Sequence, residues 1–579
     1  MASAPQQCRA QRPFPVAVDR GVGVRMRDGI RLDADVYRPD GGGPWPVLIM
    51  RLPYGKHVWA AQGVPSPETV AAAGYIVVVQ DVRGRFGSHG TFSYGDVEGP
   101  DGADTIAWAR TLPDADGTVG TFGPSFLAQV QWASALQHPE GLRSILPMVS
   151  PNDSAFDGYL FRGGAIEFAS RLEWLVGAIG PDAAERAGGA VAAQFAREAA
   201  DLASGALHRI RPLRTLAEGD TALAHGCRIW EDPAALAAAA ETTRGRYAEI
   251  DVPVFLIGGW YDAFLGSTLA QYAGMRQAGR RPVHLVVGPW SHMEAGSRLG
   301  EVDFGPSASH ESMAPDIPLG TQHIRWFDAT VRDEARALAE VTPVRLFVMG
   351  ENRWRSFDAF PPAEATALEL YLAADGTLRE EVPESGEIAY VYDPQNPAPT
   401  VGGATLAMAS PAGPYDQRPL YDRVDVVGFT SAPLSASLTV IGGVSATLYA
   451  ATDGTDTDFV VRVCDVAPDG TSLPLVDGIV RASLRDDFGH SGWQGTYEPC
   501  PVEPGRVHEY RISLWATAHT FLPGHRVRVD VTSSSFPRWD PNPNTGATAW
   551  DADRTRVATQ RIALGAATPS RVHLSVVPS

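Results

Sequence analysis

Three short and nearly continuous apolar runs limit the folds that this chain can adopt. They are WPVLIMR at 45–51, YIVVVQD at 75–81 and TVGTFG at 118–123. Strands that are buried on both faces need such runs, and they occur where helices cover both sides of a parallel sheet. The segment 101–112, between the second and third runs, has the apolar spacing of a helix. This alternation of strands and helices predicts an α/β fold.

The pattern changes twice later in the chain. Strand-like runs resume only at 252–260 and 282–290, and the interval before them is rich in Ala, Leu, Glu and Arg, which are strong helix formers. After about residue 355, apolar and polar residues alternate between Asp-Gly or Pro-Gly turns, which is typical of a β-sandwich or jelly roll. The 579 residues exceed what one hydrophobic core can hold. We therefore predict an α/β core in two parts, 1–150 and 248–352, with a helical insertion at 151–247 and a jelly-roll domain at 353–579.

The charge of the chain limits its partners. Its 67 acidic and 48 basic residues give a formal net charge of −19. Such a chain repels phosphate backbones and anionic membrane surfaces, which bind clustered Lys and Arg. No apolar run approaches the ~20 residues that span a bilayer, and the N-terminus lacks the apolar stretch of a secretory signal. We expect a soluble, cytoplasmic protein with no nucleic-acid or membrane partner.

The cysteines and histidines give no indication of a metal site. Cys8, Cys227, Cys464 and Cys500 lie far apart and form no C-x-x-C pair. No His-Glu-x-x-His motif or other spacing of metal ligands is present. The sequence predicts neither a metal nor a cofactor, and it fits a reducing compartment.

Ser125 stands directly after the third apolar run, where the helix-like stretch SFLAQVQWASALQ begins. In α/β hydrolases the nucleophilic serine occupies such a strand-to-helix turn, and the chain then supplies an Asp or Glu followed by a His. Asp262 follows the run at 252–260, and His292 follows the run at 282–290. An imidazole must take the serine's proton, and an acid must orient that imidazole. The three residues are therefore candidates for acyl transfer, although Ser125 taken alone is equally consistent with a structural turn.

Eight blocks of sequence resemble one family of serine hydrolases. They are RLPYGK (51–56), QDVRGRFGSHGTF (80–92), DGTVGTFGPSFLA (116–128), GGWYDAF (258–264), GPWSH (288–292), DQRPLYDRVDVVGFTSAPL (416–434), DTDFVVRVCDVAPDG (456–470) and SSSFPRWDPNPNTG (533–546). In this order they resemble the cocaine esterase and X-prolyl dipeptidyl peptidase (CocE/NonD-type) superfamily. The resemblance covers nearly the whole chain.

This resemblance implies both a fold and roles for residues. The expected fold is an α/β-hydrolase core with an inserted helical cap, followed by a jelly roll. Ser125 would be the nucleophile, His292 the general base and Asp262 the acid that orients it. An acyl-transfer enzyme also needs donors for the developing oxyanion. In the family these are a tyrosine hydroxyl and the backbone N–H after the serine, which here are Tyr54 and Phe126.

The turn around Ser125 departs from the family pattern Gly-x-Ser-Tyr-x-Gly. Phe126 replaces the tyrosine, and Ala128 replaces the second glycine. Pro124 lacks an N–H and favours an extended conformation at Gly123. We expect a methyl group at position 128 to be tolerated, while a distorted turn remains an alternative.

The residues after Asp262 bear on the substrate. In amino acid ester hydrolases of this superfamily, acidic residues just after the catalytic Asp hold the substrate ammonium, but here Ala263, Phe264 and Leu265 follow. Burying an ammonium without a carboxylate is costly. Phe264 and Trp174 match positions that line an apolar acyl pocket in the cocaine esterase type, and Tyr159 is a third candidate; packing between cap and core is the alternative for all three.

We therefore predict a serine carboxylesterase that hydrolyses small-molecule esters with apolar or aromatic acyl groups through an acyl-enzyme. One alternative is an X-Pro dipeptidyl peptidase or amide acylase of the same superfamily. An alternative of another class is a non-catalytic jelly-roll binding protein with a degenerate hydrolase core. Relatives in the superfamily often self-associate, which leaves a homo-oligomer open.

Overall fold

A mixed β-sheet forms the centre of the α/β part. The computed structural model describes residues 13–57, 60–93, 97–151, 155–239, 243–313, 317–338, 341–495 and 497–578. Within these residues the sheet has ten strands, in the spatial order Val16–Arg25, Arg31–Pro39, Ile76–Asp81, Trp45–Leu52, Ala115–Pro124, Leu142–Met148, Val254–Tyr261, Val283–Ser291, Val344–Val348 and Arg353–Phe357. The seven strands from Ile76–Asp81 to Val344–Val348 pair in parallel. The remaining strands pair antiparallel at the two edges.

The apolar runs form the buried centre of this sheet, as predicted. Every residue of Ile76–Asp81, Val254–Tyr261 and Val283–Ser291 is buried. Helices cover the sheet; they are Pro67–Ala72, Glu98–Ala109, Phe126–Ala135, Leu265–Ala278 and Leu319–Thr330. Because the carboxyl ends of parallel strands meet at one edge, the residues that follow these strands are brought together there.

A mostly helical insertion separates the strands Leu142–Met148 and Val254–Tyr261. Its helices are Phe168–Glu173, Gly180–Ala187, Gly189–Ala203, Ala222–Cys227 and Pro233–Ala239, with a π-helical turn at Trp174–Ile179 and 3-10 turns at Leu207–Arg209, Leu213–Ala217, Arg228–Trp230 and Tyr247–Glu249. A small hairpin, Phe161–Arg162 and Ala165–Ile166, precedes them. Single π-helical turns inside helices are frequent at functional sites.

The C-terminal part is all-β. One sheet contains Leu378–Arg379, Thr366–Leu372, Arg571–Val577, Leu438–Thr452, Ala558–Leu564, Gly386–Tyr392 and His508–Phe521, and a second contains Val427–Thr430, Arg526–Thr532, Asp458–Val466 and Ser472–Arg481. Side chains of both sheets share one hydrophobic core. The strand Arg353–Phe357 belongs to the central α/β sheet, so this sheet extends past the boundary that we predict at residue 352.

The remaining short elements lie in connections. They are the two-residue strand pairs Arg298–Leu299 with Val302–Asp303 and Phe488–Gly489 with Gly492–Trp493, and 3-10 turns at Pro306–Ala308, Ala335–Leu338, Arg418–Leu420 and Ala482–Asp487.

Among the described residues, no helix has the length and apolar character needed to cross a membrane. Cys227, Cys464 and Cys500 are free thiols, and Cys8 lies outside the described residues.

Candidate active site

Ser125 occupies a sharp turn between a buried strand and a helix. The strand Ala115–Pro124 ends at the preceding residue, and the helix Phe126–Ala135 begins at the next one. Ser125 has φ 59° and ψ −123°, and its N–H donates to the carbonyl of Met148 at 2.9 Å. A positive φ is uncommon for residues other than glycine and is found at functional sites when the surroundings enforce it. The turn leaves the partly exposed serine at the carboxyl edge of the sheet.

The departures from the family pattern are accommodated in this turn. Pro124 is the last paired residue of its strand, in register with Met148. Gly123 has φ +132°, and a Cβ at this position would lie 2.6 Å from Cδ2 of Leu127, so the residue before the proline must be glycine. Ala128 is fully buried, and its N–H donates to the carbonyl of Ser125 at 2.8 Å in the first turn of the helix.

Asp262 and His292 follow neighbouring parallel strands. Asp262 comes directly after Val254–Tyr261, and His292 comes directly after Val283–Ser291. Nδ1 of His292 lies 2.8 Å from Oδ1 of Asp262. Asp262 is completely buried, so water does not compete for this contact. An acceptor at Nδ1 holds the ring proton there and leaves Nε2 as the basic nitrogen.

Tyr54 lies beside the serine. Its hydroxyl accepts the indole N–H of Trp174 at 3.2 Å, and the side chain of Ser125 is close enough to influence the pKa of this hydroxyl. Burial raises the pKa of Tyr54 to about 12. The hydroxyl therefore stays protonated at neutral pH. Because the hydroxyl oxygen of Tyr54 accepts the indole N–H of Trp174, the hydroxyl hydrogen of Tyr54 can point toward the reacting centre.

Phe126 supplies a second donor position. It is the first residue of its helix, where backbone N–H groups have no partner within the helix. The ring of Phe126 stacks on Trp174 with centroids 6.5 Å apart. Tyr54, through its hydroxyl, and Phe126, through its backbone N–H, are therefore two candidate donors to an oxyanion in the cavity that Ser125 lines.

Two buried side chains hold the loop that carries Tyr54. Arg85 donates to the carbonyl of Pro53 at 3.0 Å and to that of Ile179 in the insertion at 2.8 Å. The carboxylate of Asp81 accepts the N–H of Lys56 at 2.8 Å. Both residues lie in the block QDVRGRFGSHGTF, but sequence reasoning assigned them no role. Arg85 is also paired with the carboxylate of Asp182 at 3.2 Å, so its buried charge has both backbone and carboxylate partners.

Ser125 stands between two hollows. The inner cavity, of about 50 Å³, is lined by Tyr54, Ser125, Phe126, Gln129, Pro151, Tyr159, Ser170, Arg171, Trp174, Phe264 and Leu406. The outer cleft, of about 590 Å³, includes Ser125, His292, Gln62, Ala178, Met293 and Met408 in its lining. His292 lines the outer cleft and is absent from the lining of the inner cavity.

The three residues that we predict for the acyl pocket, Tyr159, Trp174 and Phe264, all line the inner cavity. The ring of Phe264 meets that of His292 edge to face at 4.9 Å and that of Tyr159 at 6.2 Å. These aromatic side chains therefore lie on the side of Ser125 that faces the inner cavity.

Sequence reasoning missed the contribution of the C-terminal part. Leu406 lines both hollows, and Met408 lines the outer one. The carboxylate of Glu173, in the insertion, accepts the N–H groups of Met408 and of Ala409, the latter at 3.0 Å. Met408 is 90% exposed and Met293 is 70% exposed, so both form an apolar rim. No motif marks this loop, because its place in the site depends on how distant parts of the chain pack.

Arg171 was also missed. It lies in the helix Phe168–Glu173, it is only 5% exposed, and it lines the inner cavity.

Among the residues that the structure describes, no group of three or more His, Cys, Asp or Glu side chains is arranged to hold a metal ion. The site brings together a partly exposed serine, a His–Asp pair and hydrogen-bond donors.

Sequence comparison finds two family matches in this chain. Residues 28–294 match the X-Pro dipeptidyl-peptidase (S15) family, and residues 339–573 match the X-Pro dipeptidyl-peptidase C-terminal non-catalytic domain. The chain is 34% identical to cocaine esterase of Rhodococcus sp. (strain MB1 Bresler), over 97% of this chain and 99% of that protein.

Solved structures share the architecture over the full length. An alpha-amino acid ester hydrolase superposes with a TM-score of 0.77 at 26% identity and covers 99% of this chain and 100% of its own. An aminopeptidase from a marine sediment archaeon, Thaumarchaeota archaeon, superposes with a TM-score of 0.75 at 26% identity and covers 100% of this chain and 99% of its own. Both support an α/β-hydrolase core followed by an all-β part.

Proposed function

Since the chain belongs to the cocaine esterase and X-Pro dipeptidyl-peptidase family of serine hydrolases, we propose that it is a carboxylesterase for small-molecule esters with apolar or aromatic acyl groups. The observation that carries the proposal is the 2.8 Å contact between His292 and the buried Asp262, together with the cleft that both His292 and Ser125 line. The inner cavity, with its aromatic lining, supports the choice of acyl group.

The reaction proceeds through an acyl-enzyme. Oγ of Ser125 attacks the ester carbonyl carbon while Nε2 of His292 takes the hydroxyl proton, and Asp262 stabilises the resulting imidazolium. The tetrahedral intermediate collapses when His292 gives that proton to the departing alkoxide, which leaves as the alcohol. Water then attacks the acyl-serine in the same way, with His292 as base, and the acid is released.

The oxyanion of each tetrahedral intermediate accepts hydrogen bonds from the hydroxyl of Tyr54 and the N–H of Phe126. Both groups lie beside Ser125 before substrate arrives, so little reorganisation is needed as the charge develops. The raised pKa of Tyr54, about 12, keeps this donor protonated throughout the working pH range.

The rival activity, cleavage of X-Pro peptides or other amides, is less well supported. A dipeptidyl peptidase must bind a free amino terminus on the acyl side of the serine, and a buried ammonium needs a carboxylate partner. The residues after the catalytic acid, Ala263, Phe264 and Leu265, offer no charge. We therefore place esters before peptides.

The test uses 4-nitrophenyl acetate, butyrate and benzoate beside a glycyl-prolyl anilide. Ser125→Ala, His292→Ala and Asp262→Asn should each remove most of the ester hydrolysis, by factors on the order of 10³ to 10⁶. Ser204→Ala, on the exposed surface of the insertion, is the control and should keep full activity.

The outcomes separate the alternatives. Turnover of the esters without the anilide supports the esterase, whereas preferential anilide cleavage supports the peptidase or amide acylase. A wild-type protein that is inactive on all four compounds and is not labelled by a fluorophosphonate would support the non-catalytic binding protein.

A further inference from the structure

The inner cavity takes the acyl part of the ester. In the proposed mechanism the leaving alcohol takes its proton from His292, which lines the outer cleft and not the inner cavity. The alcohol therefore lies in the outer cleft, and the acyl group enters the inner cavity. The inner cavity has a volume of about 50 Å³ and the outer cleft one of about 590 Å³. This difference favours a short acyl chain.

Two glutamines on the helix after the nucleophile have opposite surroundings. Nε2 of Gln131 donates to the carbonyls of Gly123 at 3.0 Å and Leu127 at 3.1 Å, and its Oε1 accepts a backbone N–H of the neighbouring strand at 2.9 Å. Gln129 is only 9% exposed, yet its side chain has no hydrogen-bond partner among the residues that the structure describes. Because an unpaired buried amide is costly, the amide of Gln129 calls for a partner that the protein itself does not supply.

The side chain of Gln129 is directed at the inner cavity, close to Ser125. Gln129 lies one helical turn after the serine, and its N–H donates to the carbonyl of Ser125 at 3.0 Å. Long side chains in a helix lean toward the preceding turn, which here carries the serine. Gln129 lines the cavity, and its amide atoms are not among the fully enclosed, unpartnered polar atoms of the described chain. The amide therefore keeps some accessible surface for an occupant of the cavity.

Tyr159 offers a second neutral hydrogen-bonding group at the same cavity. It lines the cavity, and its hydroxyl has no partner within the described part of the chain. Tyr159 also contributes to the raised pKa of Tyr54, so the two hydroxyls are close to each other. The hydroxyl of Tyr159 therefore lies near the reacting centre.

The other polar residues in the wall of the cavity have partners inside the insertion. The hydroxyl of Ser170 donates to the carbonyl of Glu167 at 3.3 Å. The guanidinium of Arg171 lies over the ring of Trp174, 4.9 Å from its centroid. This leaves the glutamine amide and the tyrosine hydroxyl, both uncharged, as the groups that are available to an acyl chain.

We propose that the acyl group of the preferred ester is a short apolar chain with a hydroxyl near its carbonyl carbon, so that the substrate is an ester of a short hydroxy acid. This inference rests on the proposed function and narrows its substrate class. The amide of Gln129 can accept a hydrogen bond from such a hydroxyl or donate one to it, and so can Tyr159. Because Gln129 is one turn from the nucleophile, the hydroxyl belongs on the first or second carbon after the carbonyl.

The test compares esters that differ in one hydroxyl. Ethyl 3-hydroxybutyrate is paired with ethyl 3-methylbutyrate, and ethyl lactate with ethyl 2-methylpropanoate, so that a methyl group replaces the hydroxyl in each pair. Release of ethanol gives kcat/KM, and both enantiomers of each hydroxy ester are assayed separately. Dividing each ratio of kcat/KM by the ratio of the hydroxide-catalysed rates removes the difference in intrinsic reactivity.

The wild type should favour the hydroxy ester in at least one pair by roughly fivefold to fiftyfold, the range for a neutral hydrogen bond whose loss leaves a buried group unpaired. Gln129→Met, which has no donor or acceptor of comparable strength, should bring this ratio close to one through a loss on the hydroxy ester. Gln129→Asn, whose amide is one methylene shorter, should retain part of the preference. Gln277→Met, at an exposed position of the helix Leu265–Ala278, is the control and should keep the wild-type ratio.

Thermal melts separate substrate binding from a structural role. Because the amide of Gln129 has no partner in the described protein, Gln129→Met should melt no lower than the wild type. Gln131→Met loses the hydrogen bonds to Gly123 and Leu127 and should melt at a clearly lower temperature. Equal destabilisation by the two substitutions would show a structural role for Gln129 and overturn the inference.

A wild type without a preference for the hydroxy ester in either pair, or a Gln129→Met variant with unchanged ratios, would also overturn the inference. Hydrolysis of the methyl-substituted esters that depends on Ser125 would still support the esterase in that case. If none of the four esters is hydrolysed and 4-nitrophenyl butyrate is also inert, the proposed function itself fails.

Discussion

Replacing Tyr54 by phenylalanine removes one oxygen atom at the point where the proposed oxyanion forms. The ring stays, and so does its packing against the core. The hydroxyl that is lost lies near Ser125 and accepts the indole N–H of Trp174 at 3.2 Å. The substitution therefore tests the donor itself, with little change in the shape of the cavity.

The expected loss has two separate parts. Removing one donor from an oxyanion hole lowers kcat by roughly 10² to 10³, or about 3 to 4 kcal/mol of transition-state stabilisation. The indole N–H of Trp174 also loses its acceptor, which costs about 1 to 3 kcal/mol of folding stability. The first part appears in kcat and the second in the melting temperature, so they can be measured independently.

The assay measures kcat and KM for 4-nitrophenyl butyrate between pH 7 and 10. Tyr390→Phe is the matched control: its hydroxyl is also buried, and it bonds to Oγ of Ser533 at 2.9 Å in the C-terminal part. This control should lose stability and keep its kcat. Because the pKa of Tyr54 is about 12, its protonated hydroxyl should sustain the wild-type rate up to pH 10. A Tyr54→Phe variant with more than a third of the wild-type kcat would refute the oxyanion role.

Three further predictions follow from the site and its supports. Burial raises the pKa of Asp81 to about 6, so the folded state binds the carboxyl proton more tightly than the unfolded chain does. The free energy of unfolding should therefore fall by up to about 3 kcal/mol as the pH rises from 4 to 6. Thermal melts of Asp81→Asn should lack this contribution to the pH dependence. Gly123→Ala should abolish soluble, active enzyme, because the new Cβ would lie 2.6 Å from Leu127, whereas Pro124→Ala should stay active. Equal yields and equal rates for the two variants would contradict the steric argument for glycine at position 123. Glu173→Gln should raise KM several-fold for esters of bulky alcohols with little change in kcat, because it weakens the hydrogen bonds from the N–H groups of Met408 and Ala409 to this side chain. Glu185→Gln, at an exposed position, is the control and should change neither constant.

The buried centre of the α/β sheet was the part most open to prediction. The runs at 45–51 and 75–81 form Trp45–Leu52 and Ile76–Asp81, because strands covered on both faces must be apolar along their whole length. The helix predicted at 101–112 spans Glu98–Ala109 instead. It starts earlier because Glu98 is buried with its carboxylate 3.1 Å from Arg51, a contact that local periodicity does not reveal.

Parts of the site could be anticipated for the same topological reason. Asp262 and His292 each follow a strand-like run, and parallel neighbours place such residues at one edge of the sheet. Leu406 and Arg171 could not be found in this way. They reach the cavity from the C-terminal part and from the insertion, and their place depends on how three parts of the chain pack together.

The all-β part also fixes the insertion that covers the cavity. Glu167, directly before the helix that carries Arg171, accepts the indole N–H of Trp539 at 2.9 Å, and Asp157 accepts that of Trp515 at 3.0 Å. All four side chains are buried. Because a buried carboxylate that loses its donor leaves an uncompensated charge, these contacts resist any shift of the insertion away from the C-terminal part. The part of the chain that matches a non-catalytic domain thus holds the insertion, and with it the proposed acyl pocket, in place relative to Ser125; in the proposed reaction this placement orients the ester for attack.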